Sequence, residues 1–145
     1  MKTKQISVFI DNRPGRLASV ARVLKEERID IRALSMADAA DFGIFRVVVE
    51  DTERARAALK RNGFVTEVSD VIAVEVEDHP GGLADVLEVF ARHQLNVEYM
   101  YAFLTERAGK AIIFFRFEDI DRAVEALQAA DLPLIGGERL WKAVR

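Results

Sequence analysis

The chain has 145 residues, half of them hydrophobic, and its 21 basic and 24 acidic side chains leave a formal charge of −3. That apolar content builds packed cores and argues against disorder, while the balanced charge offers no sustained positive field to a phosphate backbone, so nucleic acid is not an expected partner. With no cysteine, disulfides, thiolate metal sites and a cysteine nucleophile are excluded.

Met1-Lys2-Thr3-Lys4 leads straight into a strand over Gln5 to Ile10, where Ile6, Val8 and Ile10 alternate onto one face. Asp11-Asn12-Arg13-Pro14-Gly15 then stops it, and Leu17, Val20, Ala21 and Leu24 recur at the spacing of a helix lying on a sheet. A second strand is predicted over Ile29 to Met36, a turn at Asp41-Phe42-Gly43, and a third strand over Ile44 to Glu50. Asp51-Thr52 caps the next helix, whose Ala55, Ala58 and Leu59 face inward until Asn62-Gly63 ends it, and Phe64 to Val68 is a fourth strand.

The second half repeats the first. Asp78-His79-Pro80-Gly81-Gly82-Leu83-Ala84 answers Asn12-Arg13-Pro14-Gly15-Arg16-Leu17-Ala18, and Val86 and Phe90 answer Val20 and Leu24. Leu95-Asn96-Val97 matches Ile29-Asp30-Ile31, and Glu118-Asp119-x-x-Arg122-Ala123 matches Glu50-Asp51-x-x-Arg54-Ala55. The corresponding elements are Val71 to Glu77, Gly82 to His93, Leu95 to Leu104, Lys110 to Phe117, Asp121 to Ala130, and a last strand over Pro133 to Trp141. Two copies make a tandem pair and not a solenoid.

The predicted fold is therefore α+β: two ferredoxin-like β-α-β-β-α-β domains, residues 1–69 and 70–145, each a four-stranded antiparallel sheet in the order 4-1-3-2 with two helices on one face. Ser69-Asp70 is the only polar break between them. Halves of about 70 residues are marginal alone, which predicts a homodimer. Ile112-Ile113-Phe114-Phe115 and Tyr99-Met100-Tyr101 are apolar on both strand faces, so something must cover the outer face or edge of the second copy.

With the repeat and its Pro-Gly turns, the chain resembles a tandem pair of ACT domains, small regulatory modules that bind amino acids. The stretch Asn12-Arg13-Pro14-Gly15, followed by Ile29-Asp30-Ile31, is similar to the serine-sensing ACT domain of phosphoglycerate dehydrogenase. With no catalytic domain attached, the resemblance is to stand-alone tandem ACT proteins. It implies a ligand held between two ACT units, by the loop after the first strand of one and by the second strand or helix start of its neighbour. Carried over by position, the contacts fall to Asn12 and Asp30 in the first copy and to Asp78 and Asn96 in the second. The family's serine site also uses a His on the first strand, where Ile10 and Val76 stand here, so the resemblance names no particular amino acid.

The residues support a similar chemistry without the name. Gly15 and Gly81 permit close backbone approach, and a helix starting behind them turns unpaired N–H groups toward a carboxylate. Asp11, Asp30 or Asp78 offers an ammonium group charge-assisted hydrogen bonds. Arg13, Pro14, Leu17, His79, Gly82 and Leu83 complete the two turns, and Tyr99, Met100 and Tyr101 either line an apolar side-chain pocket or pack in an interface.

The expected function is a small-molecule sensor; the alternative is an interaction subunit that docks on a metabolic enzyme, with the turns purely structural. No catalytic motif stands in the sequence, so no enzyme and no cofactor are expected. Without an apolar targeting core or a run near 18 apolar residues, the expected location is the cytoplasm and not a membrane.

Overall fold

The computed structural model describes residues 1–39, 41–104 and 109–144, with the side chain of Leu104 left aside. The elements are β1 (Thr3–Asp11), α1 (Arg16–Glu26), β2 (Ile31–Ala39), β3 (Phe42–Val49), α2 (Thr52–Arg61), β4 (Val65–Glu77), α3 (Gly82–Arg92), β5 (Val97–Leu104), β6 (Lys110–Phe117), α4 (Ile120–Ala129), β7 (Leu134–Ile135) and α5 (Gly137–Ala143). They fall into two compact units, Lys4–Ser69 and Asp70–Arg145, the latter joined by Met1–Thr3.

In the first unit β3 pairs antiparallel with both β1 and β2, and β4 follows β1, giving the order β2-β3-β1-β4. Alternation decides the faces. Ile6, Val8, Ile10, Phe45, Val47 and Val49 meet Val20, Val23 and Leu24 of α1 and Ala55, Ala58 and Leu59 of α2 in one buried cluster. The helix stripe differs from expectation at its start. Val23 is buried where Leu17 and Ala21 are exposed, because the face turned to the sheet runs through Val20, Val23 and Leu24.

The second unit has the order β7-β4-β6-β5, again 4-1-3-2. Its core gathers three phenylalanines, Phe90, Phe115 and Phe117, among aliphatic side chains. Phe90 of α3 meets Phe115 at 4.9 Å and Phe117 at 5.1 Å, both edge-on, an arrangement that suits the ring quadrupoles. Ile112 and Phe114 point to the opposite sheet face from Ile113 and Phe115, yet are fully buried. Tyr101, directly across from Phe114, stacks on it at 5.3 Å.

Three expectations are corrected. The final segment is not a strand to Trp141: β7 stops at Ile135, Gly136 breaks the chain, and α5 carries Trp141. Leu140 and Val144, one helical turn apart, are both buried, and Lys142 pairs with Glu138 at 3.9 Å, so the spacing is helical and not alternating. The fourth strand of the first copy and the first strand of the second are one continuous strand, β4, from Val65 to Glu77, with the boundary between the units falling between Ser69 and Asp70. Phe42 and Gly43 belong to β3 and not to a turn; the Met36 methyl lies over Gly43, at the flexible end of an exposed side chain. Of the first hairpin's turn, Ala40 lies outside the described residues.

Candidate functional site

Each Pro-Gly turn ends in a left-handed glycine that serves as the helix N-cap: Gly15 at φ 88° before α1, and Gly81 at φ 94° before α3. An L residue with a Cβ is disfavoured there by sterics. No side chain caps either helix, in contrast with α2 and α4, where Asp51 and Asp119 accept from the amides of Arg54 and Arg122 at 3.1 Å. The amides of Arg16 and Gly82 are taken by the carbonyls of Arg13 and His79, at 3.4 and 3.0 Å, and the rest of the first turn of α1 and α3 keeps the N–H groups and partial positive charge that a helix start leaves unanswered.

The two turns are not equal. Asp11, Asn12, Arg13, Pro14 and Gly15 are all exposed, and Arg13 pairs with Asp11 at 3.2 Å. No acid stands in the first turn of α1, whereas α3 carries Asp85 there, which opposes an incoming anion. Gly82 is buried, and a Cβ on it would collide with the Glu77 carbonyl. Its glycine character thus answers to a strand end, while open space lies above Gly15 and Gly81. His79 Nδ1–H donates to the Pro80 carbonyl at 2.9 Å. Glu77 and Lys110 form an ion pair beside this turn, and the Lys110 hydrogen bond, aided by charge from Lys110 and His79 against burial, holds the Glu77 carboxyl below the usual range.

The other anticipated residues stand elsewhere. Asp11 is level with Phe42, and Ile31, just after Asp30, is level with Val49. Asn12 and Asp30 are thus at opposite ends of the eight-residue β3, about 23 Å apart at the usual strand rise. The same register separates Asp78 from Asn96 along β6. Tyr99, Met100 and Tyr101 lie in β5, level with Arg116, Phe115 and Phe114, so they join neither end. Leu17 and Leu83 are exposed at 41% and 37%, on the first turns of α1 and α3.

A feature absent from the sequence expectations is a pair of matched clefts at the far ends of the sheets. In the first unit a cleft of about 280 Å³ is lined by Arg28, Asp30, Arg32, Glu50, Asp51 and Arg54. In the second, Gln94, Asn96, Glu118, Asp119 and Arg122 line one of about 290 Å³. Their arginines brace the helix ends: Arg54 Nη2 donates to the Arg28 carbonyl at 3.5 Å, and Arg122 Nη2 to the His93 carbonyl at 2.9 Å. The signal was the repeat Glu-Asp-x-x-Arg at residues 50–54 and 118–122.

A family model described as an ACT domain pair matches residues 1–144. The chain belongs to the ACT domain pair family. Among solved structures it is similar to protein BT0572 from Bacteroides thetaiotaomicron, at 37% identity and TM-score 0.90, with 98% of this chain and 97% of that one covered. It also resembles the ligand-free regulatory subunit of aspartate kinase from Thermus thermophilus, at 19% identity and TM-score 0.64 over 88% and 90% of the two chains. The regulatory subunit of aspartate kinase from Thermus flavus is similar at 19% identity and TM-score 0.60, over 90% and 94%. At such identities these two establish the fold alone. No curated protein sequence matches the chain.

Within this ACT pair, the turns offer groups suited to a small charged ligand. Backbone N–H donors of the helix starts, exposed carboxylates and one arginine stand at these turns, and among the described residues no group of three or more His, Cys, Asp or Glu is placed to hold a metal. Among the described residues no helix is long and apolar enough to cross a membrane.

Proposed function

We propose that this ACT pair, one domain in residues 1–69 and the other in 70–145, is a cytoplasmic sensor of a free amino acid rather than an enzyme. The observation that carries the reading is the uncapped start of α1 behind a left-handed Gly15, with no acid in the first helical turn. The ligand carboxylate lies against those amides, and Asn12 and Asp11 take the ammonium. Because Asn12 and Asp30 stand at opposite ends of one sheet, a ligand touching both needs two units, one giving its turn and the other the head of β2 or β5. Occupancy then favours the paired arrangement by the ligand's differential affinity for it. Asp78, His79, Gly81, Gly82, Leu83 and Asn96 form the weaker second site.

Calorimetry and thermal denaturation with each proteinogenic amino acid test this. A ligand at 100 times its dissociation constant should add about 2.7 kcal/mol of stability, and Gly15→Val should abolish the effect. A flat response to all of them would refute the sensor.

A second reading, docking on and regulating a metabolic enzyme, is supported by the exposure of Leu34, Met36 and Met100 on the outermost strands β2 and β5. The similarity to regulatory subunits of aspartate kinase fits a partner of that kind. Light scattering separates the readings: a monodisperse dimer means these edges cover each other, and open-ended aggregation means that a different partner is missing.

A further inference from the structure

The face of α1 beside the end of α2 holds charges that the Pro-Gly turns leave unused. Arg16, Ser19, Arg22 and Glu26 of α1 line a groove of about 300 Å³ together with Asn62 and Phe64, which follow α2. The Arg16 guanidinium lies over the Phe64 ring, 4.8 Å from its centroid, and that stack fixes its plane while leaving the N–H donors along its edge open. Its Nε–H is buried and has no acceptor. Among the described residues neither Arg16, Arg22 nor Glu26 makes an ion pair, although Arg22 and Glu26 stand four apart on one helix, where opposite charges commonly meet. Two guanidinium groups thus keep unspent donors on one groove.

We propose that this groove binds a sugar phosphate, free or as part of a mononucleotide, with the phosphoryl oxygens on Arg16 and Arg22 and the sugar hydroxyls on Glu26 and Asn62. Two arginines answer the charge of a phosphate monoester, about two negative charges at neutral pH, where a carboxylate needs one fork. The Ser19 hydroxyl is spent on the Gly15 carbonyl at 2.9 Å and the Asn62 amide nitrogen on the Ala58 carbonyl at 2.8 Å. What remains beside the arginines is the Asn62 side-chain oxygen and the Glu26 carboxylate, both acceptors. That half of the groove suits hydroxyl donors and repels a second anion. Arg16 and Glu26 stand about 15 Å apart along the helix, so the groove is longer than a phosphate alone.

The second unit supplies an internal control. At the positions of Arg16, Ser19, Arg22 and Glu26 the repeat carries Gly82, Asp85, Glu88 and Arg92, and Ala130 and Leu132 replace Asn62 and Phe64. Acids stand where the first unit has its hydroxyl and its second arginine, and the aromatic platform is gone. The core face is kept, since Val86 and Phe90 answer Val20 and Leu24. The arginine groove therefore belongs to the first unit, and the full chain holds one such ligand and not two.

The test is an amide-resolved NMR titration of the full chain with ribose phosphate, adenosine monophosphate, inorganic phosphate and ribose. The expected result is saturable movement of the Ser19, Arg22, Asn62 and Phe64 amides with both esters, at higher affinity than inorganic phosphate, none with ribose, and still amides at Asp85, Glu88, Ala130 and Leu132. Tighter binding of the nucleotide than of ribose phosphate assigns the base a place in the groove, and equal affinity assigns the sugar phosphate alone. Arg22→Gln, a change at an exposed position, should weaken ester binding about 10- to 100-fold, and Arg16→Lys, which keeps charge without the fork, should weaken it less. No saturable movement with either ester, inorganic phosphate binding as tightly as the esters, or unchanged affinity in folded Arg22→Gln would overturn the assignment. Movement confined to Asn12 to Gly15 places the anion at the turn and rejects the groove.

Discussion

Gly82 rests against the carbonyl of Glu77 so closely that no Cβ fits between them. The start of α3 is therefore seated on the end of β4 by backbone contact. Gly82→Ala has to push strand and helix apart, and overpacking of this kind costs about 1–3 kcal/mol. Chemical denaturation of the full chain measures it; a variant as stable as the parent would show that the contact relaxes without effort. Gly15→Ala meets open space and has only the left-handed penalty of about 1–2 kcal/mol.

Phe90 holds the second core through two edge-on rings. Phe90→Ala removes a fully buried aromatic side chain, and truncations of that class cost about 3–5 kcal/mol. Leu24, its counterpart in the first unit, is equally buried, and Leu24→Ala should cost about 2–5 kcal/mol. Paired denaturation curves check both, and a loss below 1 kcal/mol at Phe90 would contradict the packing described.

The acid side of the stability profile should carry a mark from two exposed ion pairs. Lys110 lowers the Glu77 carboxyl, and Lys2, hydrogen-bonded at 2.8 Å, lowers that of Asp121. A carboxyl depressed by folding contributes stability that is present above its unfolded pKa and lost as pH falls through the folded pKa. NMR titration should find both below their ordinary values, with Lys110→Met restoring Glu77 and Lys2→Met restoring Asp121. Titration of Asp121 at its ordinary value in the parent chain would remove Lys2 from the account.

Arg28, Gln94 and Asp131 follow helices at φ between 53° and 57°, a conformation that glycine accepts without penalty. Gln94→Gly should raise stability by up to about 1 kcal/mol, read as a higher unfolding midpoint. Destabilisation instead would mean that the Gln94 side chain makes a contact worth more than the relief of strain.

The fold was legible because its evidence was written twice. Pro14-Gly15 and Pro80-Gly81 stop strands and start helices in both halves, and Asp51 and Asp119 cap where their position before a helical stripe required. The tail is ambiguous in sequence since Leu140 and Trp141 follow an apolar pair, and nothing local tells a short extended run from one helical turn; the joint burial of Leu140 and Val144 decides for the helix. The turns could be found from sequence, but the distance between Asn12 and Asp30 could not, because register along β3 fixes it. The Arg32 cleft stayed hidden for a different reason. Its residues come from two connections in which mixed charges read as ordinary solvated surface, and only the bulge between Ile31 and Ala33 turns one of those charges inward.

Leu34 and Met36 on β2, with Met100 on β5, lie bare at the outermost strands. Should those edges find one another, protein concentration becomes a hidden reagent in every experiment on this chain. Dilution would then weaken an amino acid's apparent affinity by mass action, and a titration at one concentration would report assembly and occupancy as a single number.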